Sequence, residues 1–131
     1  SMLGSGAIII MDETTNMVKV AHRISRFYYS ESCGQCTPCR EGTGWMYRII
    51  DRILKGNGNL EDIKTLESIP AMIAGSTICA LGDAAAMPVE SFLLHYKNEF
   101  LKYIKYVSEQ EEEILRASYE NKKNEFPLFK K

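Results

Sequence analysis

Apolar residues recur every three or four positions between residues 17 and 104, the spacing of helices that each bury one face. Met17, Val20, Ala21, Ile24, Phe27 and Tyr28 share such a face, and Asp12-Glu13-Thr14-Thr15 ahead of them supplies N-caps. That helix is expected to fade near Ser30. A second is expected to begin at residues 40–43, to bury Trp45, Met46, Ile49, Ile50, Ile53 and Leu54, and to stop at Gly56-Asn57-Gly58. Asn59 caps a third, with Asp62 at its third position and Ile63, Leu66 and Ile69 or Ile73 facing inward. Pro70 is expected to kink or split it. Residues 75–87 read as a loop, and Pro88 suits the first turn of a fourth helix whose stripe is Val89, Phe92, Leu93, Tyr96, Phe100 and Tyr103.

Both ends break this pattern. Ala7-Ile8-Ile9-Ile10-Met11, after Gly4 and Gly6, reads as one buried strand. One strand cannot make a sheet, so its partners are expected outside this chain, as in a fragment of a larger subunit. Past Ile104 the periodicity loosens. Residues 109–113 form an acidic run, and Ile114, Leu115 and Tyr119 keep only weak helical spacing ahead of Phe126-Pro127-Leu128-Phe129. The fold class is therefore all-α: a small four-helix bundle with an N-terminal strand and an extra C-terminal helix or tail. The expected divisions are residues 1–12, 13–105 and 106–131.

Charge narrows the function. Sixteen basic against seventeen acidic residues leave no positive field to attract phosphate backbones, which excludes nucleic acid as a partner. The uncharged stretch 2–11 is about half of a membrane span and lacks the form of a secretory signal. Any membrane role is expected to run through a partner, without direct insertion. No serine, histidine and carboxylate constellation stands out, and no catalytic residue is assigned. Gly4-Ser5-Gly6 precedes the strand rather than following it, the wrong order for a dinucleotide loop. His22 and His95 read as partner-facing or satisfied polar residues, and Asp83 as a cap for the turn into the next helix.

The chemistry lies in the thiols. The chain has four cysteines: Cys33, Cys36 and Cys39 in one short run, and Cys79 forty residues beyond the third. A close triplet converges on one point, which suits a metal centre better than two disulfides and implies a reduced, intracellular setting. A cubane [4Fe-4S] cluster wants one thiolate at each of four iron corners. The triplet covers three corners, and Cys79 closes the fourth from another loop. Gly34 lets the main chain turn close to a cluster, and Pro38 stiffens the last gap. Zinc is the alternative, although its usual second Cys-x-x-Cys knuckle is absent. Arg40 either offsets the cluster's negative charge or forms a surface ion pair. Glu41 suits the first turn of a helix on dipole grounds alone, and Trp45 reads as core.

The run Glu31-Ser32-Cys33-Gly34-Gln35-Cys36-Thr37-Pro38-Cys39-Arg40-Glu41-Gly42, followed by Thr77-Ile78-Cys79-Ala80-Leu81-Gly82-Asp83-Ala84, resembles a known family. Over residues 3–104 it is similar to the NADH-oxidising flavoprotein of respiratory complex I, the family of NADH-quinone oxidoreductase F subunits. The resemblance implies a C-terminal helical domain holding one [4Fe-4S] cluster on Cys33, Cys36, Cys39 and Cys79. It also implies that residues 3–11 are the last strand of a ubiquitin-like domain. FMN and NADH would bind in an upstream segment missing here, so this polypeptide alone is not expected to oxidise NADH. Electrons would pass from FMN through this cluster to iron–sulfur centres of neighbouring E and G type subunits, and on toward quinone. The expected location is peripheral, on the cytoplasmic side of a bacterial inner membrane or the matrix side of a mitochondrial one. Related diaphorase subunits serve NAD-reducing hydrogenases and NAD-dependent formate dehydrogenases, but Gln35 and Thr43-Gly44-Trp45 lean toward complex I. Met87 stands where the family commonly has tryptophan, a change expected to alter packing near the cluster loop more than ligation. A non-redox zinc module is the third reading.

Overall fold

The computed structural model describes residues 4–104, and these form an all-α bundle of four helices. They are α1 (Met17–Glu31), α2 (Thr37–Leu54), α3 (Leu60–Ile73) and α4 (Leu81–Leu101). Each helix packs on the next in sequence, and α4 closes the bundle by packing on both α1 and α2. Val18, Met46, Ile50, Ile53, Ile63, Leu66, Ile69, Ile73, Val89 and Phe100 meet in one core. Full burial of side chains this size stabilises a fold by about 1.5–3 kcal/mol each.

The first helix starts at Asn16, whose side chain accepts the Lys19 N–H at 3.0 Å. Asp12 instead closes the preceding turn, accepting from Thr14 N, Thr14 Oγ1 and Thr15 Oγ1. Glu99 of α4 accepts the Met17 N–H at 3.1 Å, and Asn16 donates to the Tyr103 hydroxyl at 2.7 Å. The start of α1 is thereby tied to the end of α4. Because α1 lies against both α2 and α4, its buried face is Met17, Val18, Ala21 and Ser25. Phe27, expected inside, is 56% exposed.

The second helix begins earlier than expected. Pro38 occupies its first turn, where a missing N–H costs nothing, so Cys39 already lies within the helix. Its inward face is Gly42, Thr43, Met46, Ile49, Ile50 and Ile53, which rotates Trp45 outward to 46% exposure. Trp45 is not core. The expected cap of α3 is present in full: Asn59 and Asp62 form a reciprocal capping box. Arg52 of α2 also forks onto the buried Asp62 carboxylate through Nε and Nη2. Pro70 does not split α3, which continues to Ile73.

The largest departure is at α4. Much of the expected 75–87 loop is helical, because Ala84-Ala85-Ala86 are strong helix formers small enough to be buried where α4 meets the bundle. Pro88 sits inside the helix rather than in its first turn. Tyr96 leaves helical geometry (φ −127°, ψ 21°) and is exposed, while Lys97 takes the inward position after Val89 and Leu93. Lys97 Nζ donates to Glu67 of α3 at 2.6 Å.

Residues 7–11 do not form the expected buried strand. Ile8, Ile9 and Ile10 are 80–93% exposed, and the run has no ladder among the described residues. No described strand offers it an edge. The expectations for residues 106–131 lie outside the described residues. No described helix is long and apolar enough to cross a membrane.

Candidate metal centre

The three clustered cysteines straddle the junction between α1 and α2. Ser32 ends α1, its N–H donating to Tyr28 O at 3.1 Å. Gly34 then adopts φ +80°, a left-handed conformation that glycine enters without steric cost. Cys36 is the residue before α2, and its carbonyl accepts Arg40 N–H at 2.9 Å. Cys39 is buried in the first helical turn, while Cys33 is exposed and Cys36 half-buried. The N-terminus of α2 therefore directs its partial positive charge toward the triplet, which favours negative sulfur there. None of the four cysteines is in a disulfide.

Cys79 lies in the turn that leads into α4 and is exposed. Its loop reaches the triplet: Ile78 N–H donates to Cys36 Sγ at 3.4 Å across 42 positions of sequence. Local contacts shape that loop. Thr77 Oγ1 donates to Cys79 O at 2.9 Å, and Asp83 accepts Gly75 N–H at 2.8 Å. Asp83 therefore staples the turn rather than only starting the helix. Gly82 leaves the space that the Thr77 side chain fills.

Arg40 lies across the triplet loop, donating Nη1 to Gly34 O at 2.9 Å and Nε to Glu41 at 3.0 Å. It holds the Gly34 turn and pairs with Glu41 at once. Thr43 Oγ1 donates to Cys39 O at 2.7 Å, and Ser32 Oγ lies 3.3 Å from Cys39 Sγ. His22 is satisfied by Asp51 at 3.0 Å, on the α1–α2 seam. His95 packs edge-on against Tyr96.

Among the described residues, no three His, Cys, Asp or Glu side chains close on the position of a single metal ion. The donor set is cysteine sulfur, the soft kind that iron–sulfur clusters and zinc both take. Soft sulfurs are presented from two loops that touch, one of them turning at a left-handed glycine. Sequence alone assigns Ser32, Thr77 and Gly82 no individual role. The signal for them is their place inside the two cysteine runs.

The model of the NADH-ubiquinone oxidoreductase-F iron-sulfur binding region matches residues 19–103. The chain belongs to this family. The NADH-quinone oxidoreductase F subunit of Rickettsia typhi is 50% identical over 105 residues, 80% of this chain and 25% of that protein. That of Rickettsia bellii is 52% identical over 99 residues, 76% of this chain and 24% of that protein. The chain thus spans about a quarter of the length of the curated relatives it matches. The fold is also similar to a chain in the crystal structure of NAD+-reducing [NiFe]-hydrogenase in the H2-reduced state. There the TM-score is 0.69 and the identity 26%, covering 75% of this chain and 17% of the other. Membership of the oxidoreductase-F family brings an iron–sulfur binding role and makes the full-length relatives oxidoreductase subunits.

Proposed function

We propose that Cys33, Cys36, Cys39 and Cys79 hold one [4Fe-4S] cluster, and that the bundle is a one-electron relay of an NADH:quinone oxidoreductase. The observation that carries this reading is the Ile78 N–H to Cys36 Sγ contact, which brings the Cys79 loop onto the triplet. When bound, such a cluster supplies reversible one-electron chemistry between FMN and the next iron–sulfur centre. The chain's own work is positional. Helix α2 aims its N-terminus at Cys36 and Cys39, Arg40 fixes the Gly34 turn, and Thr77 and Asp83 set the loop of Cys79. In this reading residues 1–12 end a preceding ubiquitin-like domain, 13–105 are the cluster domain, and 106–131 are an extension. The partners are the E and G type iron–sulfur subunits, in a peripheral complex at the cytoplasmic or matrix face of the membrane.

Iron, acid-labile sulfide and zinc assays on anaerobically purified protein test this. Four irons and four sulfides per chain with visible absorbance support the cluster; one zinc and no absorbance refutes it. A second reading, the equivalent module of an NAD-reducing hydrogenase, draws on the 0.69 TM-score. The 50% identity to the Rickettsia typhi protein, against 26% to the hydrogenase chain, favours the quinone enzyme. Co-purification with E and G type subunits rather than hydrogenase subunits separates the two.

A further inference from the structure

We propose that the Ser32 hydroxyl is a positioning donor to the Cys39 sulfur and raises the reduction potential of the centre that the cysteines hold. This rests on the cluster reading above and deepens it. Ser32 Oγ and Cys39 Sγ are 3.3 Å apart, within reach of a hydrogen bond to sulfur. The ligation state of the cysteine sets the direction of that bond. Gly34 N–H donates to Ser32 Oγ at 3.4 Å, filling one of the oxygen's two acceptor positions and leaving its own hydrogen available to the sulfur. A ligating cysteine is a thiolate, which can only accept.

Both partners are held by helices rather than by the loop between them. Ser32 closes α1 through its N–H to Tyr28 O at 3.1 Å, and Cys39 sits in the first turn of α2, where Thr43 donates to its carbonyl at 2.7 Å. Among the four cysteines Cys39 alone is buried. Water therefore cannot easily replace the hydroxyl there, and a hydrogen bond in a drier site is electrostatically stronger. Each electron added to a thiolate-ligated cluster increases the negative charge on its sulfurs. A donor fixed at one of those sulfurs thus stabilises the reduced form more than the oxidised form.

The test compares the 131-residue chain with its Ser32→Ala and Ser32→Thr variants, loaded anaerobically with iron and sulfide and titrated by EPR at controlled potential. The titration reads only molecules that carry the cluster, so partial loading does not blur the result. Ser32→Ala is expected to lower the reduced-to-oxidised ratio at fixed poise by about three- to tenfold, roughly 30–60 mV for one electron. Ser32→Thr, which keeps the hydroxyl, is expected to stay near the original potential. An unchanged potential in Ser32→Ala with full iron overturns the proposal, as does a Ser32→Thr shift equal to that of alanine. Loss of the cluster from alanine but not threonine also overturns it, because the hydroxyl would then hold the loop rather than tune the centre. Absence of iron from the unsubstituted chain is a different result and overturns the cluster assignment itself.

Discussion

Thr77 packs so closely on Gly82 that a methyl group at position 82 would overlap its side chain. The same Thr77 hydroxyl donates to Cys79 O, so the start of α4 and the conformation of the distant cysteine are one arrangement. Gly82→Ala should therefore displace Thr77 and loosen the Cys79 loop while favouring helix locally. The expected outcome is reduced iron retention in an anaerobic loading assay, with a stability change of about 1–3 kcal/mol from overpacking. Full iron retention together with an unchanged melting temperature would show that Thr77 relaxes freely.

Lys97 should matter for stability although it is far in sequence from any cysteine. Its ammonium is buried and meets Glu67 at 2.6 Å, joining α3 to α4 just beyond the Tyr96 kink. Lys97→Ala removes both the charge and the packed methylenes. We expect a loss of about 1–3 kcal/mol in urea unfolding, less than for a fully buried pair because the Glu67 side chain is 23% exposed. Lys97→Met should recover part of this by refilling the space. A methionine variant no better than alanine would assign the whole effect to charge.

Asp62 combines three contacts on one nearly buried carboxylate: the Asn59 N–H and both arms of the Arg52 fork. Asp62→Ala is expected to cost about 1–3 kcal/mol, from losing the return bond of the capping box and the charged hydrogen bonds to Arg52. Glu61 and Lys64, an exposed pair at i,i+3 on the same helix, serve as the control. Removing that pair should cost under about 1 kcal/mol by denaturant titration.

Acid stability should report on Asp51. The Lys55 ammonium, and after it His22, hold the Asp51 carboxyl below its ordinary range in the folded chain. The unfolded chain then binds more protons than the folded one as the pH drops, so this contribution is intact above the usual carboxylate range. It drains as the pH falls through the depressed folded value. Asp51→Asn should flatten that acid limb of the melting-temperature profile. A parallel profile would place the acid sensitivity elsewhere.

Helix identities and the capping box at Asn59 were legible because periodicity and caps are local signals. What was lost is the rotation of each helix about its axis. Periodicity marks a face, but the neighbours decide which edge of it is covered, so Val18 and Ser25 went in while Phe27 and Trp45 came out. The start of α4 was missed because Pro88 drew the boundary, whereas the alanines before it are the better helix formers. Lys97 was unreadable because a buried lysine depends on a partner 30 residues away. The four thiols stand out in the sequence as candidate ligands, since only cysteine supplies that chemistry. Their outer contacts at Ser32 and Thr77 needed coordinates.

Replacing Cys79 with serine tests the central claim most directly, read out as iron per chain and the visible and EPR spectra of anaerobically loaded protein. With Cys79 as the fourth ligand, iron content falls or the cluster converts to another type while the helical circular dichroism persists. Unchanged iron stoichiometry and spectra would contradict the account, because three neighbouring thiols would then hold the centre without the loop that Ile78 brings to Cys36.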